Sequence, residues 1–355
     1  MSSAKRYASV DALRGLSVAA MLLVNNPGDW GHVYAPLEHA AWNGCTPTDL
    51  IFPFFLFIVG VSISLALGGR IESGASKAPM AKMVGQRALR IMVLGLVLHL
   101  LAWWLMHKPE FRIPGVLQRI GICFALVGWA VIYLRKRSQW LLLAALLTAY
   151  AALLLGGGSL DKVGNVASRF DAAVLGRFAY EWVASTGLGH DPEGIVSTLG
   201  ALATCLLGAR AGDLLRRGAV RSLLLQGLAA AALGWLGSAV LPFNKQLWTP
   251  SFVLWTGGLG ALALAGAHAL IDRAGWPALG RSFGVNAIAA YAGAWMCTVL
   301  LEGFGWMAPL YASGFGWLQP YIGPWGQSLA FAIAFVAVWA AIVMALDRRG
   351  IYFKV

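Results

Sequence analysis

Charge is scarce in this 355-residue chain: Asp, Glu, Lys and Arg make up 12% of it, and hydrophobic residues make up 59%. Soluble domains carry about 25% charge, so there is too little polar surface here to cover a soluble enzyme of this size. Cysteine is nearly absent. Cys45, Cys123, Cys205 and Cys297 lie far apart, without CxxC or metal-ligand spacing. They read as small buried hydrophobes, with neither a disulfide framework nor a metal site expected. Also missing, in any convincing context, are a Walker A loop, GxSxG, HExxH and a GxGxxG phosphate loop. The net charge is +12, but no basic stripe accompanies a recognition helix, so no nucleic-acid partner is expected.

What is present is long apolar runs, and the mean hydropathy is +0.70. A bilayer core takes about 20 apolar residues as a helix. Ten runs qualify, near 9–26, 49–69, 88–107, 114–134, 139–156, 195–214, 221–241, 251–271, 283–302 and 326–346. They predict one all-α, polytopic membrane domain over 1–355. With the N-terminus cytoplasmic, twenty of the 27 Lys and Arg fall on the inner side and seven on the outer. That is the positive-inside bias, and it puts both termini in the cytoplasm. Asp11 and Arg14 interrupt the first run, and no A-x-A site follows promptly, so it reads as a retained span rather than a signal peptide. Long stretches at 27–48, 157–194 and 303–325 all fall outside. Five spans on either side of the central loop allow an inverted repeat.

Polar side chains within or beside spans need a reason. Asp11 and Arg14 share a helix face and can pair; Asn25 and Asn26, at the other end of that run, either bind substrate or cap the helix. The segment 38–49 gathers Glu38, His39, Trp42, Asn43, Thr46 and Asp49. Histidine exchanges protons near neutral pH, and Asp49 either orients the imidazole or caps the next helix. Arg112, Gln118 and Arg119 enter the fourth span from outside, where arginine either snorkels or meets an anion, a carbonyl or a wet cavity. Asp191 and Glu193 suit a helix start. Asn244, Lys245 and Trp248 form either a sugar-binding lip or an ordinary interfacial loop. His32, His99, His107, His190 and His268 show no partner pattern.

These segments resemble a known family. VDALRG at 10–15, VNN at 24–26, HAAWNGCTPTDLIFPFFLFIVG at 39–60, RIPGVLQRIG at 112–121, DPEGIVSTLGA at 191–201, NKQLWTPSF at 244–252 and GVNAIAAY at 284–291 are similar to the heparan-alpha-glucosaminide N-acetyltransferase family. The resemblance implies a central membrane cavity, acetyl-CoA arriving from the cytoplasm, and an amino sugar or glycan acetylated on the other side. It implies His39 as the active histidine, either general base or transient acyl carrier. Asn25 is implied as a pore asparagine, Asp11 as the first-span carboxylate, and Asp49 as a tuning or orienting group. Arg14, Asn26, Arg112, Gln118 and Arg119 are then expected toward the donor. Glu38, Trp42, Asn43, Asn244, Lys245, Trp248 and Asn286 are expected toward the acceptor. Only about eight residues precede the first run, which leads to the expectation of a bacterial inner-membrane member acting on glucosamine, a cell-wall fragment or a related glycan rather than heparan sulfate. Assembly is left open, a homodimer included. The alternative reading is a sugar or glycan transporter without covalent chemistry.

Overall fold

In hydrocarbon each backbone N–H and C=O has to be satisfied inside its own segment, so the apolar runs fold as helices. The structure, a computed structural model, describes residues 6–353. Its helices are α1 Ala8–Asn25, α2 Ile51–Glu72, α3 Lys77–Leu105, α4 Val116–Tyr133, α5 Lys136–Gly156, α6 Val166–Leu175, α7 Thr198–Arg216, α8 Val220–Gly237, α9 Pro250–Ala267, α10 Arg281–Val285, α11 Ala287–Gly303, α12 Met307–Phe315 and α13 Gln319–Arg348. Among the described residues, nine segments are long and apolar enough to cross a membrane, and Ala287–Gly303 is a shorter apolar helix. The chain is an all-α, multi-pass membrane protein, and the ten apolar runs all fall on its helices.

Three features depart from uninterrupted spans. The run near 283–302 is broken at Asn286 into α10 and α11. The run near 251–271 ends in a π-helical turn, His268–Arg273. There Asp272 accepts from the Ser9 backbone N–H at 3.2 Å and from its hydroxyl, which pins the start of α1. The stretch 157–194 is not a bare loop. It holds α6 and a two-stranded antiparallel hairpin, β1 Glu181–Val183 and β2 Leu188–His190, with Glu181 opposite His190.

Arg281 and Ser282 bind Asp347, and the Phe353 N–H reaches Asn286 Oδ1. Gly284 packs against Asp11, which binds Arg6, so residues 6 and 353 lie at the same end of the bundle, here the terminal end. The segments 27–48, 157–194 and 303–325 gather at the opposite, loop end: the His32 and Trp325 ring centroids lie 4.7 Å apart, and Trp42 Nε1 donates to the Leu160 carbonyl.

Close packing at the centre depends on missing side chains. A Cβ at Gly60 of α2 would overlap the Cys205 carbonyl of α7, and one at Gly208 of α7 would overlap the Phe57 carbonyl of α2. Small residues let these backbones touch, which is the usual route to tight association between membrane helices. Both clashes involve backbone, so Gly208→Val is expected to destabilise the protein by about 3 kcal/mol or more. Gly69→Val on α2, where nothing stands within 4 Å, should be tolerated; thermal unfolding in detergent compares the two.

A second prediction comes from α6. Asp171 accepts the Ile195 N–H at 2.9 Å and ties the hairpin region to the start of α7. Burial raises its pKa to about 6, against the pull of the Ile195 and Val196 N–H groups. The unfolded value is about 3.9, so between these values the folded protein keeps a proton that the unfolded chain releases. This contribution to stability is complete below about pH 4 and is lost as pH rises through 6. Asp171→Asn is expected to flatten that part of the Tm-versus-pH curve.

Candidate functional site

The sequence TPTDL at 46–50 opens as a 3-10 turn into α2, with Thr46 as its cap and Asp49 completing a capping box. Asp49 is 1% exposed, so its lone pairs need donors from the protein. Oδ2 accepts from Ala40 N–H at 3.1 Å, Thr46 N–H at 3.0 Å and Thr46 Oγ1 at 3.1 Å. Oδ1 is left for His39 Nδ1, at 2.7 Å. Asp49 therefore does both things open to it, capping the helix and orienting the imidazole. A carboxylate only accepts, so Nδ1 carries the proton and Nε2 keeps its lone pair. The His39 side chain is 45% exposed and lines a loop-end cavity of about 740 Å³.

Lys245 Nζ lies 3.0 Å from His39 Nε2. Burial lowers the Lys245 pKa, opposed by Asp49 and Glu193, with Arg119 adding to the fall. The lysine is placed by the loop 242–249. Trp248 takes a left-handed φ of 54° there, a strained conformation for a bulky residue. Its indole anchors the loop by donating to Thr204 Oγ1 at 2.9 Å.

Asn25 ends α1 on the same cavity. Asn26 also borders it, but its amide is committed: Nδ2 donates to the Leu22 carbonyl at 2.7 Å and Oδ1 accepts from Thr298 at 2.6 Å. Trp42 lines the cavity as well, as does Arg112. Arg112 binds Asp191 through Nε at 3.0 Å and Nη2 at 2.5 Å, reaches Glu193, and lies 4.5 Å from the Tyr180 ring centroid. Burial lowers the basicity of Arg112, but Glu193 and Asp191 outweigh it and raise its pKa. For Glu193, Arg112 and Arg119 likewise outweigh burial and lower its pKa. Tyr180, Glu181 and Trp182 carry the hairpin over the cavity mouth.

A second cavity, of about 330 Å³, runs through the half of the bundle nearer the chain termini. Its walls are mostly apolar, with Arg14, Ser62, Arg87 and Tyr291 as polar side chains. Arg14 is held by Asp11 at 3.1 Å, the Gly284 carbonyl at 3.0 Å and Ser62 Oγ at 2.7 Å. Arg87 lies 5.1 Å from the Phe124 ring and has no carboxylate partner among the described residues. Met21, Val116 and Tyr291 border both cavities, so the two meet at these side chains.

Other expected site residues lie elsewhere. Asp11 pairs with Arg6 and Arg14 and lines neither cavity; fourteen residues of helix, about 21 Å, separate it from Asn25. Arg119 is 1% exposed, bonded to Ser197 and the Gly194 carbonyl and stacked 5.2 Å from Trp248. Gln118 is buried and donates to the Ile113 carbonyl at 2.9 Å. Trp248 is packed against Phe52 and Phe252 and presents no face to a sugar. Asn244 is buried, donating to Asn43 Oδ1 and accepting from Leu247 N–H. Glu38 is exposed beside His39, outside both linings. Asn286 is buried in the terminal half, away from His39, with its Nδ2 unbonded.

Three residues enter that sequence reasoning did not select. Arg87 and Tyr291 are ordinary-looking members of apolar helices. His99 lies within α3, where an intramembrane histidine was itself a signal. Its Nδ1 donates to the Arg112 carbonyl at 2.8 Å, and its ring borders the loop-end cavity. Among the described residues no group of three His, Cys, Asp or Glu is placed to hold a metal ion.

The sequence also resembles those of known proteins. A family profile described as heparan-alpha-glucosaminide N-acetyltransferase, catalytic, matches residues 6–244. The heparan-alpha-glucosaminide N-acetyltransferase of Mus musculus is 28% identical over 361 residues, covering 82% of this chain and 54% of that protein. The Homo sapiens protein of the same name is 28% identical over 357 residues, covering 81% and 52%. The chain thus spans about half the length of these relatives. With more than half of its residues matched by the catalytic profile, the chain belongs to the heparan-alpha-glucosaminide N-acetyltransferase family.

Proposed function

We propose that the protein is a membrane N-acetyltransferase that moves an acetyl group from acetyl-CoA to an amino sugar or glycan. The carrying observation is the His39–Asp49 pair in a cavity that meets a second cavity from the opposite end. By the charge count the terminal end is cytoplasmic, and acetyl-CoA arrives there as a substrate. The apolar walls suit its flexible arm, and Arg14 and Arg87 suit its phosphates. The acceptor arrives at the loop end, on the periplasmic face of a bacterial inner membrane. Its amine gives a proton to His39 Nε2 while Asp49 holds the ring. The Asn25 carboxamide is a neutral donor for the thioester carbonyl. An acetyl-histidine is the variant route. Asp11 acts at a distance, by fixing Arg14.

Purified protein is expected to transfer labelled acetyl from acetyl-CoA to glucosamine. His39→Ala and Asp49→Asn should each reduce kcat by about 10²–10⁴-fold; full turnover in His39→Ala would remove the role given to that residue. Arg87→Ala should raise KM for acetyl-CoA by about tenfold or more, the worth of one charge-assisted hydrogen bond, with kcat little changed. Transport of unmodified glucosamine into vesicles lacking acetyl-CoA would favour the transporter reading. The family match over residues 6–244 favours the transferase reading.

A further inference from the structure

The junction of the two cavities is where donor and acceptor have to meet, and three side chains form it: Met21, Val116 and Tyr291. Met21 and Val116 offer no useful hydrogen-bond donor. Tyr291 does, and its hydroxyl makes no hydrogen bond among the described residues, nor is it sealed inside the packing. Buried tyrosine hydroxyls usually find a partner. Two others here do so, Tyr150 on the Leu247 carbonyl and Tyr7 on the Leu215 carbonyl. Neighbouring polar groups are already committed: Ser62 donates to the Ile58 carbonyl, His99 Nδ1 to the Arg112 carbonyl, and the Asn26 amide to Leu22. Of the three side chains shared by the two cavities, Tyr291 alone carries a hydroxyl donor, and it is uncommitted among the described residues.

We infer that Tyr291 is a further catalytic residue, whose hydroxyl donates a hydrogen bond to the thioester carbonyl oxygen as charge develops on it, opposite the Asn25 carboxamide. This rests on the acetyl-transfer reading above. In the step, the acceptor nitrogen's lone pair forms the new C–N bond and the carbonyl π pair moves onto oxygen, where Tyr291 stabilises it. The pair then returns, the C–S bond breaks and its electrons leave on sulfur. The proton released by nitrogen passes through His39 to that sulfur, so the products are an acetamide and the free thiol of CoA. Tyr291 keeps its own proton throughout. A fixed donor aimed at an oxyanion in a dry site contributes far more than the same bond in water.

The test is Tyr291→Phe, which keeps the ring and the shape of the junction and removes only the hydroxyl. Because that hydroxyl makes no hydrogen bond among the described residues, Tm and the affinity for CoA by calorimetry should stay at wild-type values. The kcat for acetyl transfer to glucosamine should fall about 10²-fold or more, with KM for acetyl-CoA little changed. An active wild type beside an equally active Tyr291→Phe overturns this inference and leaves the proposed function standing. A kcat loss that tracks a drop in Tm or in CoA affinity also overturns it, since a structural role would then suffice. A wild type that transfers no acetyl group removes the proposed function and this inference together.

Discussion

A carboxylate buried at the mouth of an apolar helix needs every lone pair filled, and the way Asp49 meets that need organises the site around it. Three donors on Oδ2 come from the loop that precedes α2, which leaves Oδ1 for one imidazole and fixes its tautomer. The loop is thereby folded back onto the helix it introduces. Without the charge at Asp49, the segment from His39 to Thr46 would lose its common acceptor, and the His39 ring would lose its direction. Imidazole orientation and helix capping are one set of hydrogen bonds here.

The rest of the bundle sets up the space in front of that ring. Glycine-mediated contact between α2 and α7 brings the centre together. The broken helix α10–α11 brings Tyr291 to the wall shared by the two cavities. At the loop end, Arg112 joins α4's approach to the hairpin region through Asp191 and Glu193. Truncating one partner of so buried an ion network leaves an uncompensated charge, so the hairpin over the cavity is held firmly rather than draped. The two ends differ in chemistry. The terminal-end cavity is mostly apolar with guanidinium groups, and the loop-end cavity is the more polar of the two and rimmed with aromatic rings. In the proposed function, that asymmetry gives the nucleotide thioester and the sugar amine different ends of the bundle.

Spacing in the chain correctly suggested local pairs and could not judge distant ones. Asp11 with Arg14, and Asp49 with His39, are near in sequence and are paired in space. Asn25 and Lys245 come to the same cavity as His39 from different parts of the chain. Trp248 and Arg119 looked like cavity groups because polar and aromatic residues near the membrane usually need a role. Their role is to pack on each other and on the α7 start. Nothing in the local sequence separates a tryptophan that faces a cavity from one that anchors the loop beside it.

Composition and run length by themselves determined that this chain is a multi-span helical membrane protein, because a bilayer penalises unsatisfied backbone and rewards apolar length wherever the run occurs. The motif around His39 and Asp49 was legible for a similar reason, since its hydrogen bonds span ten residues. Only the tertiary structure decided which polar groups share a space. Whether Asn286 shares a cavity with His39, and whether the Tyr291 hydroxyl finds a partner, depends on how the helices pack, and contacts between residues hundreds of positions apart leave no periodic trace along the chain.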